Sequence, residues 1–347
     1  MIGPANPVVT PIESIEPAYG SDKCGLVWAY RFAPGQAAIE IHSEAAERWL
    51  VSRREREEEF LWLHLSLSNA AAERWLRQHL ELPETFYESI HEQISSTRVD
   101  QEGSALTAVL HDVLFDSTLD TSNVSTVNLC VGKQLMVSAR LRPLRSVDRL
   151  RAAVRQGTKF QSSIELFGHL LRDQAGVFVD ILRQSTSRVD EIEDKILENR
   201  ISVSRRELGA LRRMLVRLQR LLAPEPAAMF RLLRQPPTWI ADGDAQDLRQ
   251  AAEEFSAVVV DSVALVERVK LLQEELVALL NEQTNRTLFV LTLVTVMALP
   301  INLVAGLFGM NVGGIPFAQS SDVFWMVVST LAAVTAILAY LVARRRD

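Results

Sequence analysis

The chain has 347 residues, 43 of them Asp or Glu and 37 Lys or Arg, which gives a formal net charge of −6. This acidic balance argues against nucleic acid as a partner, because binding to phosphates requires a basic surface. Two cysteines are too few for a disulfide framework. The N-terminus lacks the basic start and apolar core of a signal peptide, so we expect the large N-terminal part to stay in the cytoplasm.

Residues 1–160 are predicted to form a cytoplasmic α/β domain. Helical spacing is found at 71–80, 83–93 and 147–155. Gly132-Lys133 predicts a tight turn between the last two strands, and therefore a β-hairpin. The predicted strands cover residues 26–32, 60–67, 105–115, 124–131 and 134–140.

This domain shows no catalytic constellation. The whole chain has no C-x-x-C, no glycine-rich phosphate loop and no G-x-S-x-G motif, and none of its six histidines makes an H-x-x-x-H or H-x-x-E-H pair. His111-Asp112 is a candidate for a metal site, but we favour a surface position on a strand. The sequence therefore predicts that the protein is not an enzyme and has no cofactor.

Residues 161–286 are predicted to be a cytoplasmic helical bundle ending in a stalk helix. Segments 162–199 and 204–222 have an amphipathic helical pattern without strands. Prolines at 224, 226, 236 and 237 interrupt the chain, and none occurs from 245 to 299. We therefore predict one helix over 247–308, about 90 Å long at 1.5 Å per residue.

Residues 287–347 are predicted to be a transmembrane domain with two helices. Segments 287–308 and 323–343 contain no charged residue, and each is long enough to span a hydrocarbon core of about 30 Å. Arg286 flanks the first segment, and Arg344, Arg345 and Arg346 follow the second. Basic flanks remain inside, so both termini are expected in the cytoplasm and the loop 309–322 outside, at the inner membrane of a bacterium.

The first membrane segment has a polar stripe. At about 100° per residue its members occupy one arc of roughly 120°, and the stripe continues backwards to Glu267. Polar groups avoid lipid, so this arc should face protein or water. It could be a helix-packing surface within a dimer, or the lining of a pore formed by several copies, because two helices per chain cannot enclose a water path. The stripe consists of Asn285, Leu288, Thr292, Thr295, Leu299, Asn302, Gly306 and Gly309.

Gly309 ends this segment, and we expect it to act as a C-terminal cap because glycine tolerates a positive φ. The motif Gly309-Met310-Asn311, together with the two membrane segments, the stalk and the α/β domain, resembles the CorA metal-ion transporter family over essentially the whole chain. The matching residues are Asn285-Arg286-Thr287, Pro300 and Gly306-Leu307-Phe308-Gly309-Met310-Asn311.

The resemblance implies a homopentamer with a cytoplasmic funnel, a pore lined by the first membrane helix, and Gly309-Met310-Asn311 at the outer mouth. Leu299-Pro300-Ile301-Asn302-Leu303 and Val312-Gly313-Gly314-Ile315-Pro316 are similar to the ZntB zinc-transporter branch. In that picture the amide oxygen of Asn311 receives the water shell of a dication, and Leu288 and Leu299 form apolar constrictions.

The expected function is uptake of divalent cations, with Zn²⁺ favoured as the transported ion and Mg²⁺, Co²⁺, Ni²⁺ or Cd²⁺ as alternatives. A Mg²⁺/Co²⁺ channel of the same fold is the first alternative, and a membrane-anchored sensor or scaffold that does not conduct is the second. The resemblance also raises coupling to protons. Residues 287–321 contain no ionisable side chain, so a relay through side chains would have to lie elsewhere.

Overall fold

The computed structural model describes residues 20–56, 58–91, 97–114, 124–198, 201–310 and 321–344. These residues form two compact units, one up to Leu271 and one from Leu272 onwards. The first unit is an α/β structure with a helical extension, and the second consists of helical segments. The helices are α1 Ser43–Ser52, α2 Ala71–His79, α3 Glu84–His91, α4 Arg145–Arg155, α5 Ser163–Leu197, α6 Ile201–Leu222, α7 Pro224–Leu232, α8 Asp242–Phe308 and α9 Ser321–Arg344.

One seven-stranded sheet organises the first unit. Its order is β2-β1-β3-β7-β6-β5-β4, and only the central pair β3 and β7 is parallel, with Trp62 opposite Met136. The β6–β7 hairpin confirms the predicted turn, with Gly132 pairing with Leu135. The strands are β1 Leu26–Phe32, β2 Ile39–Ile41, β3 Phe60–Ser66, β4 Arg98–Glu102, β5 Ala105–Val113, β6 Val124–Gly132 and β7 Leu135–Arg140.

Both faces of the sheet are covered by helices, which explains its nearly continuous apolar strands. One core contains Trp49 of α1, Leu76 of α2 and Phe86 of α3. The other contains side chains from α4, α5, α7 and the start of α8, such as Phe167 and Leu248. The first unit is therefore a three-layer α/β/α sandwich.

The five predicted strands are present, whereas β2, β4, α1 and α7 were not predicted. The two missed strands, β2 and β4, are the edge strands of the sheet. They are mostly exposed, and neither has more than one buried residue. Their sequences therefore show no alternation of apolar residues. In α7, Pro224 occupies the first turn, where proline is tolerated because its missing N–H would have no helical partner. The prolines that suggested a break therefore begin a helix.

Helix α5 is capped and paired with its neighbours. The Ser162 hydroxyl accepts a hydrogen bond from the Glu165 N–H at 2.9 Å, as expected for an N-cap. Lys195 of α5 forms an ion pair with Glu207 of α6 at 3.2 Å. On α8, Arg268 contacts Glu193 of α5 at 2.7 Å. These contacts join α5, α6 and α8 into a bundle, and α8 begins five residues before the predicted position.

Candidate functional site

The candidate site is the exposed face of the C-terminal part of α8. The predicted stripe lies on this helix from Asn285 to Gly306, and its last member, Gly309, directly follows the last residue of α8. Asn311 and the predicted loop up to residue 320 lie outside the described residues. Every member of the stripe and Met310 of the predicted outer mouth are solvent-exposed, the stripe being Asn285, Leu288, Thr292, Thr295, Leu299, Asn302, Gly306 and Gly309.

Pro300 does not end the helix, which continues to Phe308. Because proline has no N–H, the carbonyl of Val296 lacks the donor that this position normally supplies. The Gly309 N–H donates to the Ala305 carbonyl at 2.9 Å, so the helical hydrogen bonding reaches Gly309.

Gly309 directly follows the last residue of α8, as expected for a C-terminal cap, but its φ does not lie in the positive range. A Cβ at this position would lie 3.0 Å from the Ala305 carbonyl oxygen, which is closer than side chains normally approach. Glycine is therefore favoured at 309 because the last turn leaves little room for a side chain, and not because of a left-handed conformation.

The threonines of the segment direct their hydroxyl protons into the helix. Thr292 donates to the Leu288 carbonyl at 2.8 Å and Thr295 to the Leu291 carbonyl at 2.9 Å. Thr287, which lies outside the stripe, donates to Gln283 at 2.9 Å in the same way. A hydroxyl whose proton is used within the helix presents oxygen lone pairs outward. The stripe therefore offers hydrogen-bond acceptors, which suit the protons of water molecules around a cation.

The apolar side chains of this segment are uncovered in the single chain. Leu288 and Leu299 of the stripe are 54% and 67% exposed, and Leu291 outside the stripe is 63% exposed. No residue of the most apolar 18-residue stretch of α8 is buried. The helix Asp242–Leu307 is long and apolar enough to cross a membrane. Trp325–Ile337, within α9, is a shorter apolar stretch. Lipid or further protein must therefore cover this apolar segment of α8.

Comparisons with known proteins identify the family. Residues 57–345 match the model of the family described as CorA-like Mg²⁺ transporter protein. This chain belongs to the CorA family. It is a divalent-cation transporter and not an enzyme, as the sequence predicted.

Individual CorA relatives are similar over most of their length. The zinc transport protein ZntB of Pectobacterium atrosepticum is 26% identical over 258 residues, 74% of this chain and 78% of that protein. The divalent cation transporter CmaX of Pseudomonas aeruginosa is 27% identical over 281 residues, 80% and 84% of the two chains. The solved structure of full-length CmaX superposes with a TM-score of 0.76 at 24% identity, covering 94% of this chain and 99% of that one.

In the described part of this CorA protein, no three His, Cys, Asp or Glu side chains lie close enough to hold a metal ion. His64 illustrates why a histidine need not be a ligand. Its Nε2 accepts a hydrogen bond from Arg140 Nε at 2.7 Å, and its Nδ1 lies 2.7 Å from the Ser138 hydroxyl. Burial and the charges of Arg140 and Arg151 hold the His64 pKa well below its usual value. The imidazole is therefore neutral and structural.

His111 and Asp112 are buried, which corrects the predicted surface position. They are 4% and 2% exposed. Asp112 accepts hydrogen bonds from the Ser146 N–H at 2.9 Å and the Ser146 hydroxyl at 2.6 Å, yet burial raises its pKa to about 6. The His111 N–H donates to Glu225 of α7 at 2.9 Å. The pair therefore ties the sheet to helices α4 and α7.

Glu225 is a buried acid that the sequence analysis missed. It is 0% exposed, and burial, with a further contribution from the charge of Asp112, raises its pKa well above the usual value. Hydrogen bonds from His111, Gln174 and Thr97 oppose this shift without cancelling it. The prolines on either side of Glu225 were the only feature of the sequence that marked this position, and they indicated an interruption of helical structure.

We expect Glu225→Gln to stabilise the protein at neutral pH, by an amount on the order of 1 kcal/mol. Because the pKa of Glu225 is raised in the folded state, the native protein binds more protons than the unfolded chain between the usual and the raised value. Stability therefore falls as pH rises through that window, and the variant should lack this fall. Denaturant unfolding at several pH values, followed by tryptophan fluorescence, measures the difference.

The matched control is Glu253→Gln, which makes the same chemical change at an exposed position on α8. Equal pH slopes for the wild type and Glu225→Gln would contradict a raised pKa at Glu225.

Proposed function

We propose that this protein is a zinc-uptake transporter of the bacterial inner membrane, in which five copies form a pore lined by the first transmembrane helix. The pore-lining residues are those of the stripe on α8. Gly309, Met310 and Asn311 form the outer mouth, where Asn311 binds the ion through its hydration water. Zn²⁺ is the transported substrate and not a resident cofactor.

The exposed polar face of an otherwise apolar helix supports this proposal more than any other observation. Asn285, Thr292, Thr295 and Asn302 would each be unfavourable against hydrocarbon. The threonine protons are used within the helix, so the remaining lone pairs can accept hydrogen bonds from the water shell of a cation. A water-filled path needs several copies, since one chain contributes only one such helix.

The membrane topology follows from the charges beside the apolar segments. In the proposed arrangement α8 crosses at 287–308 and α9 crosses back at 323–343, joined by an external loop at 309–322. Arg286 and the three arginines from Arg344 to Arg346 then lie on the cytoplasmic side. Residues 1–160 form the cytoplasmic α/β domain and 161–286 the helical bundle with the stalk.

Two observations favour zinc. The residues that follow Gly309-Met310-Asn311, Val312 to Pro316, are similar to the zinc-transporter branch, and some relatives are named as zinc transport proteins. The stripe has no His, Cys or carboxylate, the groups that bind Zn²⁺ tightly, so the ion passes hydrated and weakly held. The family description, which names Mg²⁺, favours the alternative of a Mg²⁺/Co²⁺ channel. Mg²⁺ keeps its water shell readily and would use the same neutral lining.

Ion flux into liposomes containing the purified protein tests this proposal. At equal ion concentrations we expect Zn²⁺ entry to exceed Mg²⁺ entry, and a pH gradient to change the Zn²⁺ rate if uptake is coupled to protons. Faster Mg²⁺ entry would overturn the choice of zinc and leave transport intact. No flux of Zn²⁺, Mg²⁺, Co²⁺, Ni²⁺ or Cd²⁺ would overturn transport itself.

A further inference from the structure

A cavity open to solvent lies between the end of α7 and the early turns of α8. Its volume is about 610 Å³, within the range of roughly 300–1,000 Å³ that is typical of small-molecule sites. We call it the α7–α8 cavity. All of its lining residues belong to the first unit, and they include Phe230, Arg231, Leu233, Arg234, Arg249 and Glu253.

Positive charge dominates the wall of the α7–α8 cavity. Arg231 lies in the last turn of α7 and Arg234 just after that helix, while Arg249 and Glu253 belong to α8. Three positive charges and one negative charge give a formal charge of +2 around the cavity, although the whole chain carries −6. A local excess of this sign raises the concentration of anions in the cavity.

Two of the guanidinium groups are available to a ligand. Arg231 and Arg234 are exposed, and neither side chain forms a hydrogen bond or an ion pair with another residue in the described part of the chain. A guanidinium group presents five N–H donors in a planar fork, which matches the oxygens of a carboxylate or a phosphate. The cavity therefore has the donors that an oxyanion requires.

The end of α7 holds the third guanidinium group in position. Arg249 Nη2 donates to the Leu233 carbonyl at 3.3 Å, and a helix leaves such terminal carbonyls without a helical partner. Glu253 follows Arg249 by four residues, a spacing that permits an ion pair, but these two side chains do not form one. Arg249 is therefore fixed at the wall by one nitrogen and keeps its other donors for a ligand.

An apolar surface adjoins these arginines. Leu233 is 3% exposed, and Phe230 packs against the core that contains Phe167 and Leu248. Both Leu233 and Phe230 line the cavity. Aromatic and aliphatic side chains favour contact with a flat ring, so the cavity combines a region for oxyanions with a region for an apolar ring.

We propose that the α7–α8 cavity binds a nucleoside diphosphate. The phosphates contact the guanidinium groups of Arg231, Arg234 and Arg249, and the base lies against Phe230 and Leu233. Such a ligand has both features that the cavity requires, whereas inorganic phosphate lacks the ring and a nucleoside lacks the charge.

The remaining lining residues limit what this site does. Glu253 repels phosphate, and its carboxylate accepts hydrogen bonds from the hydroxyls of a ribose instead. Among the described residues that line the cavity there is no Ser, Thr, Cys, His or Lys, so the expected role is binding and not covalent chemistry. The site lies within the first unit, and the inference does not depend on the proposed ion transport.

Isothermal titration calorimetry of the purified full-length protein in detergent tests this proposal. ADP, inorganic phosphate and adenosine are titrated separately, in buffer containing EDTA so that no metal ion links the nucleotide to the protein. We expect saturable binding of ADP, tighter by on the order of tenfold than that of either fragment, because each fragment keeps only one of the two sets of contacts.

Substitutions in the cavity separate the two regions. Arg231→Gln and Arg234→Gln should each weaken ADP binding on the order of tenfold, because each removes a charge-assisted contact to phosphate. Phe230→Leu should weaken the binding of ADP and leave that of inorganic phosphate unchanged. The matched control is Arg213→Gln, the same change at an exposed arginine of α6 outside the cavity, which should leave the affinity for ADP unchanged. Circular dichroism verifies that each variant is folded.

The absence of saturable ADP binding would overturn the proposal. Equal weakening by Arg213→Gln would assign the binding to overall charge, and inorganic phosphate binding as tightly as ADP would show that the apolar surface takes no part; either result would also reject the site. Zinc and magnesium flux into liposomes is measured on the wild type in parallel. Flux without ADP binding leaves the proposed transport standing and rejects the nucleotide site, and ADP binding without flux does the reverse.

Discussion

Asn311→Ala should strongly reduce divalent-cation flux while the protein remains assembled in the membrane. In the proposed pore each copy contributes one amide oxygen at the outer mouth, where helix C-termini bring partial negative charge. Removing the ring of amides takes away the groups that receive the water shell of the entering ion. We expect a reduction on the order of 100-fold, which is about 2.7 kcal/mol at the barrier for entry.

The measurement is flux into liposomes, with size-exclusion chromatography to show that the assembly is retained. Met310→Leu is the matched control, because it changes the neighbouring residue of the motif while approximately conserving volume, and it should keep most of the flux. Undiminished flux in Asn311→Ala would show that residue 311 does not control entry, and a non-conducting scaffold predicts that any phenotype survives the substitution.

Thr295→Val should reduce flux on the order of tenfold by making the middle of the conduit apolar. Valine has nearly the shape of threonine, so the change removes the hydroxyl and its outward lone pairs with little change in packing. A ring of valines at 295 would lengthen the apolar constriction that Leu299 already forms. Such constrictions block ions because water leaves them. Initial rates of ion entry at several ion concentrations measure this effect.

Thr287→Val is the matched control for Thr295→Val. Thr287 and Thr295 each donate to the carbonyl four residues earlier at 2.9 Å, so both variants lose the same local hydrogen bond. They differ in that Thr287 lies outside the stripe. Equal loss of flux in the two variants would assign the effect to the helix and not to the conduit.

The sequence predicted the periodic elements well. The strands near Trp62 and Met136 and the long helices α5 and α8 depend on the spacing of apolar residues along a continuous segment. That information is local, since each residue's neighbours in the chain are also its neighbours in the element. The hairpin at Gly132 was found for the same reason.

Edge strands and proline-started helices were missed because their signals are weak or misleading locally. The three residues of β2, Ile39–Ile41, are stabilised by pairing with β1 at Ala29, Tyr30 and Arg31, and nothing in the short segment itself indicates that partner. Pro224 was read as a break although the first turn of a helix accepts proline.

The tertiary structure alone decided which polar residues are buried. Asp112 and Glu225 are far apart in the chain, and the sheet, α4 and α7 must assemble before either loses water and its pKa rises. By contrast, the sequence by itself determined the polar stripe from Asn285 to Gly309 along the apolar end of α8. Helical spacing is fixed by the backbone within a few residues, so the face of α8 could be derived before any contact was known.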